Sequence, residues 1–324
     1  MCFDQLYNQR VIINTDIDGI LSGLILHNFL NCEVVGFSNS WDTVWYDKNA
    51  INDINNAVFI DMYVANPKVV CVDQHVVCAN QAHHDKIVVN KNKFNPNVEN
   101  ADNPCFHVPN DLYYRKYPFG TVHYLIAGLA KENKQFEQDF SKIDLMKKDF
   151  VNNEGLKLID LLLRADDTMN TSIRKYVPNA KNWWRWLMTR SDNSHIIKDM
   201  ALYLYRLSPS EVLQTTSKTR NLLMGEPFLC KSDDGGFKHI INNEGVLLEN
   251  VKDYMIYLSE LMDLNCFDLS MNLTPIYGKA NRVSLNDHTR EELANSNTFN
   301  GENIFSYAFI FASKKAQHFS YTIM

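Results

Sequence analysis

Carboxylates recur directly after apolar segments in the first part of the chain. Each of these segments has the length and composition of a buried β-strand. The carboxylates that follow them are Asp16, Asp18, Asp61 and Asp73. Because ligands of open α/β sheets bind at the carboxyl ends of the strands, we expect these side chains to meet there. Such an oxygen-rich, negative pocket needs hard divalent cations, and the sequence therefore predicts a metal-dependent site that acts on phosphate esters.

Further metal ligands are predicted beside these strand ends. His75 offers a nitrogen ligand or a contact to phosphate. Asp166 and Asp167 follow an apolar helix and project to different sides of its end, so the sequence leaves open which one is a ligand. A single Asp after a strand usually belongs to a turn or a helix N-cap. Asp at three successive strand ends favours a site for two cations, which activate water and screen phosphoryl oxygens.

The order of apolar runs predicts an α/β fold with a mainly parallel N-terminal sheet. Further strands are predicted at 33–37 and 86–89, and helices from 120 to about 129 and over about 135–165. Helical pattern continues to about 223, and short strands and turns follow. We therefore predict three segments: a metal-binding domain over 1–190, a helical connector over 191–225 and a smaller α+β domain over 226–324.

Composition restricts the class of protein. The 324 residues are 45% hydrophobic, enough for a sizeable core, and the net charge of -6 argues against a general polyanion binder. The 7 cysteines include no Cys-x-x-Cys pair, which disfavours a disulfide framework or zinc module and suggests a reducing cytoplasm. A secretory leader and a membrane-spanning run are not expected, since no apolar run reaches about 18 residues.

Two other groups of residues have competing interpretations. Trp183, Trp184 and Trp186 could stack nucleic-acid bases, but their helical spacing favours a packed core. Lys93 could hold an anionic substrate, or it could lie on a solvated loop.

The strand-end motifs resemble a known family. Asp16-Ile17-Asp18-Gly19, then Asp61, then Asp73-Gln74-His75 is similar to the first three motifs of the DHH phosphoesterase superfamily. Asn95-Pro96-Asn97, Gly120-Thr121 and Asp167-Thr168 resemble the downstream elements of the same domain. The resemblance covers about residues 8–190.

The resemblance implies a fold, a chemistry and roles for residues. It implies hydrolysis of phosphoester or phosphoanhydride bonds with two Mn²⁺ or Mg²⁺ ions. By position, Asp16, Asp18, Asp61 and Asp167 would be metal ligands, with Asp61 as the bridge. His75 would contact metal or phosphate, and Asp73 would orient its neighbours. The family's accessory domain binds substrate, which points to Lys238, Arg282 and Ser284 here. Gly235-Gly236 has the composition of the family's binding loop and equally of a hairpin turn.

The chain departs from the family signature at two positions. Gln74 stands where the signature has its first His, and its amide oxygen is a weaker donor to a transition metal. Asn14 stands where several branches have His or Asp, and we predict that it contacts substrate together with Gly120 and Thr121. These departures leave open a preference for Mg²⁺, a second metal that binds only with substrate, or a degenerate site.

We therefore predict a cytoplasmic phosphoesterase of short oligonucleotides or cyclic dinucleotides. The acidic net charge and the absence of a basic stripe disfavour long duplex DNA as a partner. The alternatives are a pyrophosphatase or polyphosphatase and a non-catalytic protein that binds a nucleotide or a protein. The oligomeric state stays open, with a homodimer among the possibilities.

Overall fold

A seven-stranded sheet organises the chain. The computed structural model describes residues 3–102, 105, 115–152, 154–165, 169, 177–190, 195–313 and 316–324. The strands of this sheet run in the spatial order β6-β5-β4-β1-β2-β3-β7. They are β1 (Arg10–Asn14), β2 (Glu33–Ser38), β3 (Thr43–Asp47), β4 (Val58–Ile60), β5 (Cys71–Val72), β6 (Lys93–Phe94) and β7 (Leu273–Tyr277).

The strands that carry the predicted site are parallel neighbours. β1 pairs in parallel with β2 on one side and with β4 on the other, and β4-β5-β6 continue in parallel. Only β3 and β7, at one edge, are antiparallel to their neighbours. The carboxyl ends of β1, β2, β4 and β5 therefore lie together, as the mainly parallel α/β prediction requires, and that prediction is confirmed.

Helices cover the sheet and connect its strands. In the described part of the chain they are α1 (Ile17–Leu30), α2 (Gln81–Val88), α3 (Pro96–Glu99), α4 (Thr121–Glu132), α5 (Lys134–Phe140), α6 (Leu158–Arg164), α7 (Val177–Arg190), α8 (His195–Arg206), α9 (Pro209–Met224), α10 (Glu249–Leu261) and α11 (Asp287–Ser296). Short 3-10 helices lie at Asp4–Leu6 and Ile54–Asn56. No described helix has both the length and the apolarity needed to cross a bilayer.

The prediction of a strand over 86–89 is wrong. Asn80 accepts a hydrogen bond from the backbone N–H of His83 and so starts α2, which continues through Val88. Val88 and Val89 are 47% and 74% exposed, so this apolar run is not a buried strand. The strand beside β5 is β6, four residues further on.

The prediction of one helix over 135–165 is also wrong. α5 ends at Phe140, and α6 begins only at Leu158. Gly155 between them has a φ of 74°, a left-handed conformation that an α-helix cannot contain. The carboxylate of Asp160 accepts the backbone N–H of Lys157 and restarts the helix.

The sheet has a hydrophobic core on each face, because alternate strand residues point to opposite sides. Val11 and Ile13 of β1 pack with α1, α4 and α10, whereas Ile12 packs into the other core. That second core also contains residues of the antiparallel sheet β11-β12-β8, formed by β8 (Lys279–Ser284), β11 (Ser306–Ser313) and β12 (Ala316–Ile323). A two-stranded ribbon joins β9 (Thr298–Phe299) to β10 (Glu302–Asn303).

The C-terminal third contributes to both faces of the main sheet. α10 packs on one face, β7 extends the sheet edge, and the small antiparallel sheet covers the other face. The predicted boundary at residue 226 therefore does not coincide with a break in the sheet or in its cores. The C-terminal region, predicted as a smaller α+β domain, contains a small antiparallel sheet, and β8 of that sheet carries Arg282.

Candidate metal and phosphate site

Asp16 and Asp18 lie at the junction between β1 and α1. Asp16 is the N-cap of α1, and one of its carboxylate oxygens accepts the Gly19 N–H at 3.0 Å. Asp18 is buried, and its two oxygens accept the backbone N–H groups of Thr121 at 2.6 Å and Val122 at 2.8 Å. Asp18 thus binds the start of α4, where unpaired N–H groups and the helix dipole favour an anion.

The beginning of α4 is shaped around this carboxylate. A Cβ atom on Gly120 would lie 2.6 Å from Asp18 Oδ1, so only glycine fits at that position. Gly120 and Thr121 were predicted as substrate contacts; the structure puts them behind Asp18, and neither lines the cleft described below.

Asp61 ends β4 in a left-handed conformation, with a φ of 61°. This conformation is uncommon for residues other than glycine, although Asp and Asn adopt it more readily than most. One carboxylate oxygen accepts the Thr121 hydroxyl at 2.9 Å, and the other accepts the Asn14 amide at 3.1 Å. The same Asn14 amide group donates to Asp16 at 2.7 Å. Asn14 therefore links Asp16 to Asp61, and Thr121 donates to both Asp61 and Asp18.

Asp73 is fully buried and holds His75. Its oxygens contact the His75 backbone N–H at 3.0 Å and the ring Nδ1 at 2.6 Å. The Asn95 amide donates to Asp73 at 3.1 Å and to the His75 carbonyl at 2.8 Å. Asn97 donates to the Gln74 carbonyl at 2.6 Å. The Asn95–Asn97 turn thereby fixes the backbone of the loop from Asp73 to His75.

The acidic side chains meet in an unfavourable electrostatic environment. Burial raises the pKa values of Asp16 and Asp61 well above the ordinary range, and the neighbouring carboxylates raise them further. Burial also raises the pKa of Asp18, against the lowering effect of its backbone hydrogen bonds. In the described part of the chain, no Lys or Arg forms an ion pair with any of the three. Their negative charge is therefore not balanced by a direct ion pair with any Lys or Arg that the structure describes.

These side chains form one wall of a cleft of about 500 Å³. The opposite wall is the turn 231–238, which is anchored on the start of α1. The Asp234 carbonyl accepts the Ile17 N–H at 2.8 Å, and the Phe237 N–H donates to the Thr15 hydroxyl at 3.3 Å. Lys231 and Lys238 line the cleft from this wall and bring positive charge opposite the carboxylates.

The pair Gly235-Gly236 forms a turn within this wall. Gly235 has a φ of 91°, and a Cβ atom there would lie 2.1 Å from the Tyr254 hydroxyl. No strand of the described chain flanks this turn, so the hairpin interpretation is wrong, and Gly236 lines the cleft.

The structure brings together most of the predicted site residues. Those that line the cleft are Asn14, Asp16, Asp18, Asp61, Gln74, His75 and Lys238. Asp73 lies behind His75. Arg282 reaches the rim, where its guanidinium carbon lies 5.9 Å from the ring centroid of Trp41, whereas Ser284 does not line the cleft. Asp166 and Asp167 lie outside the described residues; just before them, Arg164 forms an ion pair of 3.0 Å with Asp233 beside the turn 231–238.

The contributors to the cleft that sequence reasoning missed include Trp41, Lys231 and Asp234. Trp41 follows β2, which is parallel to β1, so the strand-end rule that found Asp16 could also have found it. Lys231 and Asp234 carry no local signal, because they come from more than 200 residues further along the chain.

Three donor groups at the cleft have the spacing of a cation site. Donor atoms of Asp61, Asp73 and His75 all lie within 4.8 Å of one another.

We compared the chain with models of protein families, with curated proteins and with solved structures, and none of these comparisons gives a match. The DHH superfamily is therefore a resemblance of motifs and their order, and no comparison supports it.

Proposed function

We propose that the protein is a metal-dependent phosphoesterase that hydrolyses phosphodiester bonds of short oligonucleotides or cyclic and linear dinucleotides. The observation that carries this proposal is a group of carboxylates, Asp18 and Asp61 buried and Asp16 half-buried, with raised pKa values and no Lys or Arg ion-pair partner among the described residues. Burying several like charges is unfavourable unless a cation neutralises them. They also face a cleft that a substrate can enter, rather than the interior of a core.

The donor set fits hard divalent cations. Carboxylate oxygens with one imidazole suit Mn²⁺, and carboxylate oxygens alone suit Mg²⁺. Asp16, Asp18, Asp61 and His75 would hold two such ions, with Gln74 and one of Asp166 and Asp167 as further ligands. When bound, the ions would supply Lewis acidity at the phosphoryl oxygens and lower the pKa of a water molecule.

The protein's own groups prepare this site. The Asp73 carboxylate accepts from His75 Nδ1, so the proton is fixed on that nitrogen and Nε2 is left to coordinate a cation or contact a phosphate. Asn14 holds Asp16 and Asp61 in a fixed relation through one amide group. Lys231 and Lys238 can bind phosphate oxygens from the opposite wall.

The dimensions of the cleft favour small substrates. A volume of about 500 Å³ lies within the range of small-ligand sites, and a long duplex does not fit such a space. The net charge of -6 also disfavours a large polyanion.

Hydrolysis of a substrate panel tests this proposal. The panel contains linear and cyclic dinucleotides, short RNA and DNA, and inorganic pyrophosphate, each with Mn²⁺, Mg²⁺ or EDTA. We expect turnover of dinucleotides that needs metal and falls at least about 10³-fold in Asp61→Asn. Asp199→Asn, an exposed carboxylate on α8, is the matched control and keeps full activity. Metal-dependent turnover of pyrophosphate alone would instead identify a pyrophosphatase.

A non-catalytic nucleotide-binding protein is the second candidate, and Gln74 is the observation that favours it. Gln74 lines the cleft where the DHH signature has a histidine ligand. This candidate predicts nucleotide binding by equilibrium dialysis without turnover of any member of the panel, in either metal.

A further inference from the structure

Trp41 is an exposed aromatic side chain in the wall of a polar cleft. It is 46% exposed and lines the cleft together with the site carboxylates. Trp45, Trp183 and Trp184 are buried in the cores, and Trp186 is partly buried. An exposed indole adds nothing to a hydrophobic core, so its position calls for another explanation.

The loop that carries Trp41 holds its backbone firmly. Asn39 Oδ1 accepts the backbone N–H groups of Trp41, Asp42 and Thr43, each at 3.0 Å. The Thr322 hydroxyl donates to the Trp41 carbonyl and ties this loop to β12. The indole is therefore presented to the cleft from a fixed backbone, which lowers the entropic cost of binding a ligand against it.

Arg282 adds a cation to this aromatic surface. Its guanidinium carbon lies 5.9 Å from the Trp41 ring centroid, within the range of a cation–π interaction. Arg282 comes from β8, so two distant parts of the chain build the rim together. An indole beside a guanidinium is a surface on which a planar, electron-rich ring stacks well.

We propose that Trp41 and Arg282 form a nucleobase platform that makes the cleft specific for nucleotide esters over inorganic phosphate chains. Binding of the phosphate group rests on the proposed function, because the carboxylates of the same cleft would hold the cations that bind phosphate. A ligand that uses both ends of the cleft carries a phosphoryl group and an aromatic ring. Stacking contacts the face of a base and not its hydrogen-bonding edge, so we expect the platform to bind all four bases.

Steady-state kinetics with the full-length protein tests the platform. The substrates are the 5′-phosphorylated dinucleotides pApA, pGpG, pCpC and pUpU, with pyrophosphate as the substrate that has no base. The variants are Trp41→Leu, Trp41→Phe and Arg282→Gln. Tyr205→Leu removes an exposed aromatic of α8 that does not line the cleft and is the control.

We expect Trp41→Leu to raise KM for the dinucleotides about 5-fold to 100-fold, the usual worth of one base–aromatic stack, with kcat within about threefold. Trp41→Phe retains a ring and has a smaller effect, Arg282→Gln raises KM by less than Trp41→Leu, and any pyrophosphate turnover is unchanged. The four dinucleotides differ by less than about tenfold from one another. An unchanged KM in Trp41→Leu, while Asp61→Asn abolishes turnover, overturns the platform and leaves the phosphoesterase standing.

A binding experiment without turnover tests the nucleobase platform independently of the proposed phosphoesterase activity. Adenosine 5′-monophosphate is titrated into the protein in Mn²⁺ and in EDTA while tryptophan fluorescence is recorded. Quenching in the wild type that is lost in Trp41→Leu supports the platform even if no substrate is hydrolysed. Absence of quenching in the wild type under both conditions overturns it.

Discussion

Lys93 and the carboxylates of the cleft are charged groups that the fold treats in opposite ways. Lys93 is 6% exposed, and its ammonium group donates to the carbonyls of Val64 at 2.5 Å and of Asn66 and Val69 at 2.8 Å. Asp16, Asp18 and Asp61 are gathered at the carboxyl ends of β1 and β4 and have no cationic partner among the described residues. The ammonium has all its described partners within the fold, whereas the carboxylates accept hydrogen bonds but have no cationic partner that the structure describes.

This difference separates a structural charge from a functional one. The ammonium of Lys93 donates hydrogen bonds to three backbone carbonyls, so its burial is compensated without any ligand. Neither interpretation of Lys93 from the sequence, as an anion-binding cation or as part of a solvated loop, is correct. The carboxylates raise one another's pKa values and remain open to a cleft. We expect only the second arrangement to gain stability from an external cation.

Replacing Lys93 should give the largest effect on stability. Lys93→Met keeps the length of the side chain but leaves three buried carbonyls without their donor. We expect a loss of about 3 kcal/mol or more in the free energy of unfolding, measured by urea denaturation, and the loss should be the same with and without Mn²⁺. Lys91→Met, at an exposed position, is the control and should change stability by less than about 0.5 kcal/mol. A loss in Lys93→Met no larger than in the control would contradict a structural role.

Replacing Asp61 should have the opposite sign in the absence of metal. Asp61→Asn removes a negative charge that faces Asp16, Asp18 and Asp73. In EDTA at pH 7 we expect a gain on the order of 1 to 3 kcal/mol in unfolding free energy, because like charges a few ångströms apart repel on this scale. In Mn²⁺ the difference in unfolding free energy should disappear, because only the wild type is stabilised by bound ion. Destabilisation of Asp61→Asn in EDTA would show that the carboxylate is needed by the fold.

The stabilising effect of Asp61→Asn should depend on pH. The pKa of Asp61 is raised in the folded state, so above the ordinary Asp pKa of about 4 the folded protein holds a proton that the unfolded chain releases. The contribution of Asp61 to stability is therefore complete below about pH 4, and it is lost as the pH rises through the folded-state pKa. In EDTA the gain from Asp61→Asn should therefore be near zero at pH 4 and should increase toward pH 7 in denaturation curves. A gain in unfolding free energy that is constant across this range would contradict the electrostatic explanation.

The smallest expected effect concerns Gln74. Gln74→His places an imidazole in the cleft, and we expect about tenfold tighter Mn²⁺ binding by calorimetry. Gln138→His on the exposed side of α5 serves as control. Unchanged affinity in Gln74→His would indicate that this part of the cleft has been rebuilt for another purpose.

Local patterns predicted the elements that carry the site, because each signal lies in a short stretch of chain. The run Val11–Ile13 followed by two Asp residues identified β1 and the start of α1. The start of α4 followed from the Gly120-Thr121 pair. The run 86–89 misled, since its apolar residues form the end of an exposed helix that an Asn cap begins upstream.

Long-range pairing was beyond the reach of sequence patterns. The residues of β7 join the N-terminal sheet across more than 200 residues, and no local periodicity encodes that partner. The same holds for the turn 231–238, which lines the cleft, and for Arg282, which lies beside Trp41, because both come from the C-terminal third of the chain. The strand ends were therefore predictable from local patterns, whereas Lys238 in the opposite wall was predicted only through the family resemblance.

Titration of Mn²⁺ into the metal-free protein by isothermal calorimetry at pH 7 tests most directly whether the unbalanced carboxylates hold cations. We expect saturable binding of one or two ions by the wild type and by Asp199→Asn, and loss of that binding in Asp61→Asn. Absence of binding by the wild type, or equal binding by Asp61→Asn, would contradict the account.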